Sequence, residues 1–362
     1  MNRNAFFDAI AHGQHIRDID CSGWDLSDTD LSGALFEGVD FRNADLSGTN
    51  LDDTQWQQCN LSGASLVRAQ IAEARLYRCD LTRVNATAAN LDKTSIVDSH
   101  AAHANFSRAR FLWTTWSETD LSNADLRTDH MERTTYTQCQ LAATDLRGAK
   151  LAFVVFHELD LRTTQLAETQ CQNVMFMGCD LTAQSFSGQV FNQCQFTDTL
   201  LEGADFSRAQ LGQCNFKGAT LRQADFSHAE GPQALFAFAD ACGAQFSRSR
   251  FPQSIWTDAK LDEADFTSAQ LSMSVFHRAR CARASFRSTQ LDDTDLSMSD
   301  LTDADFRDAT FLRTRMHRAL IAGVIWTQRG GIIENDPELL AAQRWSAAKS
   351  RPDIDAPPKG NP

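Results

Sequence analysis

The chain repeats a hydrophobic position every five residues. Each fifth residue from Ile16 to Trp326 is apolar, with the single exception of Gly231. The residue two places earlier is usually small, and the residue between the two is usually polar. Such alternation is typical of an extended segment whose two ends face inward, so the remaining two residues must turn a corner. Because a period of five does not match the 3.6-residue period of an amphipathic helix, the pattern predicts a coil of short strands.

The identity of the large residues repeats every twenty positions. Phenylalanine occupies every twentieth position from Phe186 to Phe306, and the next column is mainly leucine from Leu121 to Leu261. Four five-residue sides therefore make one coil, and side chains twenty residues apart stack on one another. The sequence predicts an all-β fold, a four-sided parallel β-helix of about 15 coils and roughly 75 Å at ~4.8 Å per coil.

Several five-residue units resemble a known repeat. The units "ADLSG" (44–48), "TDLRG" (144–148) and "ADFSR" (204–208) are similar to the A(D/N)LXX repeat of the pentapeptide-repeat proteins. The resemblance covers nearly the whole chain and implies a right-handed quadrilateral β-helix. It does not select a function, because this fold family has several different roles.

The ends of the chain depart from the repeat, so we expect three segments. Residues 1–15 are expected to form an N-terminal helical cap, residues 16–327 the β-helix, and residues 328–362 a C-terminal capping helix and a disordered tail. Asp336 and Pro337 suit the start of that helix. Its buried side chains are expected to be Leu339, Leu340 and Trp345.

Two places in the repeat carry unusually small residues. Ala86 and Ala101 underfill the large inward position in adjacent coils, and Gly231 followed by Pro232 does so later. The phenylalanine columns keep their spacing on both sides. We therefore expect local bulges or a slight bend there.

The chemistry of the sequence argues against an enzyme. It contains no nucleophile elbow, phosphate-binding loop or dinucleotide fingerprint, and a filled solenoid offers no cleft. His100 and His103 are expected to point outward without a third ligand, so we expect no catalytic site, no metal and no cofactor. The formal charge of −13 argues against direct binding of nucleic acid. No apolar run is long enough for a membrane span, and ten cysteines without a disulfide framework favour a cytoplasmic protein.

Acidic residues precede the large position on two neighbouring sides of the coil. One interpretation is DNA mimicry, which the resemblance implies for the branch of the family that protects DNA gyrase, a type II topoisomerase. The other is that each aspartate caps its own corner through backbone hydrogen bonds. The residues of this acidic face include Asp20, Asp25, Asp40, Asp45, Asp120, Asp125, Asp145, Asp160, Asp205 and Asp225.

The opposite half of the coil carries outward apolar residues in place of aspartates. Beside them, Gln193 to Gln253 recur every twenty residues as a predicted amide ladder, and Arg133 is placed for a cation–π contact. An aligned apolar stripe is typical of a binding surface, although strand propensity or cover by the caps also accounts for it. The predicted partner-binding residues are Trp113, Phe153, Val155, Met175, Leu235, Ile255 and Val275.

These features favour a non-catalytic scaffold or adaptor for protein–protein interaction. The alternatives are an acidic DNA mimic that acts on a type II topoisomerase and a bacterial secretion-system adaptor or effector chaperone. We expect a protein partner, with no direct nucleic-acid or membrane binding. The protein is expected to be a monomer, or a homodimer through the C-terminal element as the resemblance implies for the topoisomerase-protecting branch.

Overall fold

The repeats form a parallel β-solenoid with four sides and about sixteen turns. The computed structural model describes residues 2–349, so the tail expected at 350–362 lies outside the described residues. The elements are α1 (Arg3–Ala11), β1 (Ile16–Arg17), β2 (Leu35–Glu37), β3 (Gln55–Gln57), β4 (Arg75–Tyr77), β5 (Ser95–Val97), β6 (Phe111–Leu112), β7 (Thr115–Ser117), β8 (Met131–Glu132), β9 (Thr135–Thr137), β10 (Lys150–Ala152), β11 (Val155–His157), β12 (Gln170–Gln172), β13 (Met175–Met177), β14 (Val190–Asn192), β15 (Asp305–Phe306), β16 (Thr314–Arg315), β17 (Ile325–Trp326), β18 (Ile332–Ile333) and α2 (Pro337–Lys349).

The strands pair in parallel with the predicted register of twenty residues. Nine strands form one sheet in the order β1-β2-β3-β4-β5-β7-β9-β11-β13, and five form a second in the order β14-β12-β10-β8-β6. In the first sheet Val155 lies opposite Met175. Single bridges with the same spacing continue the ladder beyond the sheets, as between Leu235 and Ile255. The twenty-residue period is therefore confirmed.

Four faces of the solenoid are numbered here by their large buried residues. The first face has them at 16 and every twentieth residue to 316, the second from 21, the third from 26 and the fourth from 31. On the third face Phe226 stacks between Phe206 and Phe246, with ring centroids 5.0 and 4.9 Å apart and nearly parallel planes. Such columns fill the axis, because each inward ring contacts the rings of the coils above and below.

The corners depend on a left-handed residue. Every fifth residue from Gly13 to Gly323 has a positive φ, except Thr128 and Thr163. In the regular conformation the corner N–H donates along the axis to the next coil, as from Asn123 to the carbonyl of Ala142 at 2.9 Å. β-Branched residues disfavour this conformation, and the two threonines are the only β-branched residues at this position.

The expected bulges at the small residues are absent, so that prediction was wrong. The bridges beside Ala86 and Ala101 keep the regular spacing. At Gly231 the space is already filled, because a Cβ there would lie 2.2 Å from a ring carbon of Phe251. The next coil supplies the missing volume, and the backbone has no reason to move.

The repeat is instead interrupted at residues 128–130. Asp129 stands where other coils place a small inward residue, and the structure exposes it. Thr128 is buried in its place, and its hydroxyl donates to the carbonyl of Ala109 at 2.6 Å. We call residues Thr128–His130 the coil break. It forms because a carboxylate is costly to bury and a threonine resists the left-handed corner.

The two ends of the solenoid differ. At the N-terminal end Phe6 of α1 is fully buried and stacks on Phe36, with ring centroids 6.2 Å apart. At the C-terminal end Leu340 of α2 is half-buried, but Trp345 is 63% exposed, so its expected burial was wrong. Five residues on a helix turn a side chain to a different side, which separates Trp345 from Leu340. The side chain of Leu339 lies outside the described part.

Candidate protein-binding face

All seven predicted partner-binding residues lie on the first face or at the corner before it. We call this region the neutral face: the outward residues of the first face from 115 to 277, with the corner residues that precede them at every twentieth position from 113 to 273. Trp113 and Phe153 at the corner are 58% and 43% exposed, and Met175 and Ile255 on the face are 38% and 37% exposed. Val155, Leu235 and Val275 are half-buried.

The neutral face lacks carboxylates. No aspartate or glutamate occupies any of its positions, and its only formally charged residues are Arg133 and Lys217. The chain as a whole carries a formal charge of −13. This surface is therefore slightly basic on a strongly acidic molecule, and it favours a partner that is apolar with some negative charge.

The apolar stripe is divided into two patches. Along the ladder Met175 is followed by Gln195 and Asn215 before Leu235, Ile255 and Val275 continue the apolar series. The amide of Asn215 donates to that of Gln195 at 2.9 Å. The sequence-based description of one continuous stripe therefore needs correction, because polar amides occupy two coils of it.

An arginine is held between two aromatic rings at the corner of the neutral face. The guanidinium carbon of Arg133 lies 5.1 Å from the ring centroid of Trp113 and 5.0 Å from that of Phe153. The same side chain forms an ion pair with Glu132. The predicted cation–π contact is confirmed, and stacking from both sides orders this arginine before any partner arrives.

Further along the same corner, glutamines form the predicted amide ladder. The side-chain amide of Gln193 donates to Gln213 at 2.8 Å, Gln213 to Gln233 at 2.9 Å, and Gln233 to Gln253 at 3.0 Å. The ladder fixes a row of exposed amides beside the two apolar patches. Ordered side chains lose little entropy on binding, which suits a preformed recognition surface.

The sequence analysis missed several exposed hydrophobic residues in the same region. Met177 and Met273 lie on the neutral face, and Phe238 lies at the corner that follows it. Before residue 300, nine of the ten exposed large hydrophobic residues lie on the first face or its two corners, and Leu200 on the second face is the exception. The positions after the buried residue carry this signal, but the prediction considered mainly those before it.

On the second and third faces, the aspartates cap their own corners. Each carboxylate of the acidic face accepts a hydrogen bond from the backbone N–H two residues later. The donors to Asp20, Asp25, Asp40, Asp45, Asp120, Asp125, Asp145, Asp160, Asp205 and Asp225 are Ser22, Ser27, Arg42, Ser47, Ser122, Arg127, Arg147, Arg162, Ser207 and Ser227. This geometry is the corner-capping interpretation of the aspartates.

Arginines reduce the negative field of the acidic face. Arg147 binds Asp145 through Nη2 and Oδ2 at 2.7 Å, and Arg162 binds Asp160 at 2.6 Å. The hydrogen bond from Arg147 holds the pKa of the Asp145 carboxyl below its ordinary value of 3.8. One oxygen of each such carboxylate faces the backbone and the other faces a guanidinium, so less charge is presented to a partner.

The solenoid has open surface grooves, and its axis is filled with side chains. The largest groove has a volume of about 810 Å³ and runs along the fourth face beside Arg110, His130 and Lys150. Within residues 2–349, no group of three or more histidine, cysteine or acidic side chains is placed to hold a metal ion. The ten cysteines are free, and burial raises the pKa of Cys139 to about 11. No helix in the described range is both long and apolar enough to span a bilayer.

Two family profiles match most of the chain. The profile described as "Pentapeptide repeats (8 copies)" matches residues 25–63, 44–83, 64–100, 104–127, 214–251, 242–278 and 284–321, and "Pentapeptide repeat region" matches residues 129–206. The chain belongs to the pentapeptide-repeat family. No curated protein matches it at a significant level.

Solved structures of pentapeptide-repeat proteins also match. HetL, involved in heterocyst differentiation regulation in the cyanobacterium Nostoc sp. strain PCC 7120, is 22% identical over 87% of this chain and 97% of its own, with a TM-score of 0.26. Full-length QnrB1, a plasmid-mediated fluoroquinolone resistance protein, is 16% identical over 59% of this chain and 99% of its own, with a TM-score of 0.21. Rfr23 from the cyanobacterium Cyanothece 51142 is 14% identical over 43% and 91% of the two chains, with a TM-score of 0.15.

Proposed function

We propose that this pentapeptide-repeat protein is a non-catalytic scaffold or adaptor that binds a protein partner along the neutral face. The concentration of exposed hydrophobic side chains on the first face and its corners supports the proposal most directly. Isolated exposed hydrophobic residues are normal, but aligned ones are typical of interfaces. Aromatic residues, methionine and arginine are also the types enriched at interfaces.

The dimensions of the neutral face suit a protein partner. From residue 115 to 275 it spans eight coils, or about 38 Å at ~4.8 Å per coil. Stable interfaces commonly bury about 800 Å² on each partner, which a strip of this length and about 20 Å in width supplies. A secretion-system adaptor or effector chaperone would use the same surface, so the proposal covers those roles as special cases.

A pair of lysine substitutions tests the binding surface. Ile255→Lys with Val275→Lys places two charges in the second apolar patch, where burial by a partner would desolvate them. We expect capture of the partner from a lysate of the source organism, measured by quantitative mass spectrometry, to fall at least tenfold. Thermal unfolding should change little, because both side chains point outward.

A matched pair of substitutions serves as the control. Gln245 and Ser285 occupy the same position of the repeat on the opposite, third face of the solenoid. Gln245→Lys with Ser285→Lys adds the same charge and should leave capture unchanged. Full retention of the partner by the Ile255→Lys, Val275→Lys protein would reject the proposed surface, and equal loss in both proteins would show a non-specific effect of charge.

DNA mimicry makes a different prediction for the same protein. A mimic should inhibit DNA gyrase supercoiling at micromolar concentration, and neutralising Asp205 and Asp225 to asparagine should abolish the inhibition. The scaffold proposal expects no inhibition, since these carboxylates are engaged in corner capping. Inhibition that depends on Asp205 and Asp225 would replace the proposal with the alternative.

The oligomeric state belongs to the proposal as a monomer or a homodimer through the C-terminal element. In support of self-association at that end, Leu320 is 59% exposed, and Ile321 and Ile325 are also exposed. Light scattering with size-exclusion chromatography decides between the two states. If a dimer forms, Leu320→Lys with Ile325→Lys should convert it to a monomer.

A further inference from the structure

The coil break leaves two successive backbone N–H groups without a partner. In a regular coil the corner N–H donates to the next coil, as Arg108 does to the carbonyl of Arg127 at 2.8 Å, and the following N–H closes the turn, as Ala109 does to Phe106 at 3.0 Å. At the coil break neither bond forms. Within residues 2–349, no acceptor lies within hydrogen-bonding distance of the N–H of Thr128 or Asp129.

These N–H groups belong to residues that line a basic groove. The groove has a volume of about 460 Å³ and is lined by Arg108, Arg127, Thr128, Asp129, His130, Arg147 and Gly148. Its lining therefore carries three arginines and a histidine against one carboxylate, on a chain whose formal charge is −13. Through Asp129 and His130 it joins the larger groove of the fourth face, where Arg110 and Lys150 add two further cations.

The carboxylates near the groove are already engaged. Arg127 lies 2.7 Å from Asp125 and 3.5 Å from Asp145, and Arg147 also binds Asp145. Nε2 of His130 lies 3.0 Å from Oδ1 of Asp129.

Arg108 differs from its neighbours, because it forms no ion pair with any of the described residues. In the adjoining groove Arg110 is paired with Asp92 at 2.7 Å, whereas Lys150 likewise has no carboxylate partner in the described range. The free donors at the break are thus two backbone N–H groups, one guanidinium and one nearby ammonium.

We infer that the coil break is a binding site for a phosphate group. Successive backbone N–H groups in a turn form a concave anion site, and an arginine fork matches the oxygens of phosphate. Arg108 and the N–H groups of Thr128 and Asp129 supply the primary donors, and Lys150 supplies further positive charge. The site does not depend on the neutral face, so its failure and the failure of the proposed function are separate results.

Titration calorimetry of the full chain with inorganic phosphate at low ionic strength tests the site. The wild-type protein should bind phosphate and should not respond to the same concentration of chloride. Arg108→Gln should weaken binding about tenfold, since it removes a charged hydrogen-bonding partner. Arg248→Gln is the matched control, because Arg248 occupies the same corner in a regular coil, and it should bind like the wild type.

A second variant separates backbone geometry from charge. Thr128→Gly with Asp129→Ala restores the glycine corner and the small inward residue of the regular repeat, so both N–H groups regain their acceptors. It also removes a negative charge, so a purely electrostatic site would bind phosphate more tightly. We expect the double variant to lose phosphate binding and to unfold at a higher temperature. Asp129→Asn alone should keep the break and bind phosphate at least as well as the wild type.

The source of the phosphate group is distinguished by a second titration. O-phosphoserine, with serine as its control, reports whether a phosphate group on a larger ligand is accepted. Tighter binding of phosphoserine than of inorganic phosphate assigns the site to a phosphorylated ligand, and weaker binding assigns it to the free ion. Absence of phosphate binding in the wild type, or undiminished binding in the Thr128→Gly, Asp129→Ala protein, would overturn the inference.

Discussion

The neutral face and the acidic second and third faces are built on the same backbone but carry different outward residues. On the third face, Asp225 accepts a hydrogen bond from the N–H of Ser227 at 2.7 Å. On the neutral face Ile255 occupies the same position of the repeat and cannot accept one. Where the first face does carry a polar residue there, it caps as well, as Asn215 does for Lys217 at 3.0 Å.

This difference separates structural from functional residues. The aspartates of the second and third faces are explained by the corners that they cap, so their alignment needs no partner. Leu235, Ile255 and Val275 contribute no such hydrogen bond, and in their coils the ladder consists of single bridges rather than extended strands. The structure of the repeat does not require them, which leaves binding as the best account of their alignment.

The largest expected effect breaks the core that both faces share. Phe226→Ala removes a ring that stacks between Phe206 and Phe246, and it should lower the free energy of unfolding by about 3–5 kcal/mol. Urea denaturation gives the value. Phe238→Ala, at an exposed corner beside the neutral face, should cost less than about 0.5 kcal/mol. Similar costs for the two variants would show that ring stacking does not sustain the solenoid.

A smaller effect distinguishes the faces directly. Asp225→Ala should lower the free energy of unfolding by about 0.5–1.5 kcal/mol, because the corner N–H loses its acceptor. Ile255→Asn should be neutral or slightly stabilising, because it adds a cap like that of Asn215, yet it should weaken partner capture. A marked loss of stability in the Ile255→Asn protein would show that the neutral-face residues have a structural role after all.

The smallest effect sharpens the contrast through pH. Arg147 and Arg162 lower the pKa values of Asp145 and Asp160 in the folded protein. A lowered pKa in the folded state means that these carboxylates stabilise the fold above their ordinary value of 3.8, and that this stability is lost as the pH falls through the folded value. Urea midpoints should therefore be flat from about pH 7 to 5 and fall below about pH 4. Arg147→Gln should reduce that fall, and an unchanged profile would contradict the assignment.

Much of the fold could be predicted because its signal is periodic. Every coil imposes the same demand on Phe206, Phe226 and Phe246, so the twenty-residue register follows from residue identity alone. The glutamine ladder and the stacked Arg133 were predicted for the same reason, since side chains twenty residues apart must meet.

The irregular features could not be predicted from side-chain volume. Gly231 leaves a space that Phe251 fills, and this packing depends on the neighbouring coil. Thr128 and Asp129 interrupt the coil because of backbone conformation and the cost of burying charge, which a count of large and small residues does not measure. The corner capping by the aspartates was one of two open interpretations, and only the hydrogen bonds distinguish it.

Site-specific photo-crosslinking tests the central claim most directly. A photoreactive amino acid is placed at position 255 on the neutral face, or at position 245 in the same place of the repeat on the opposite face, and each protein is irradiated with its captured partner. Binding along the neutral face predicts a covalent adduct from position 255 and none from position 245. An adduct from position 245 without one from position 255 would contradict it.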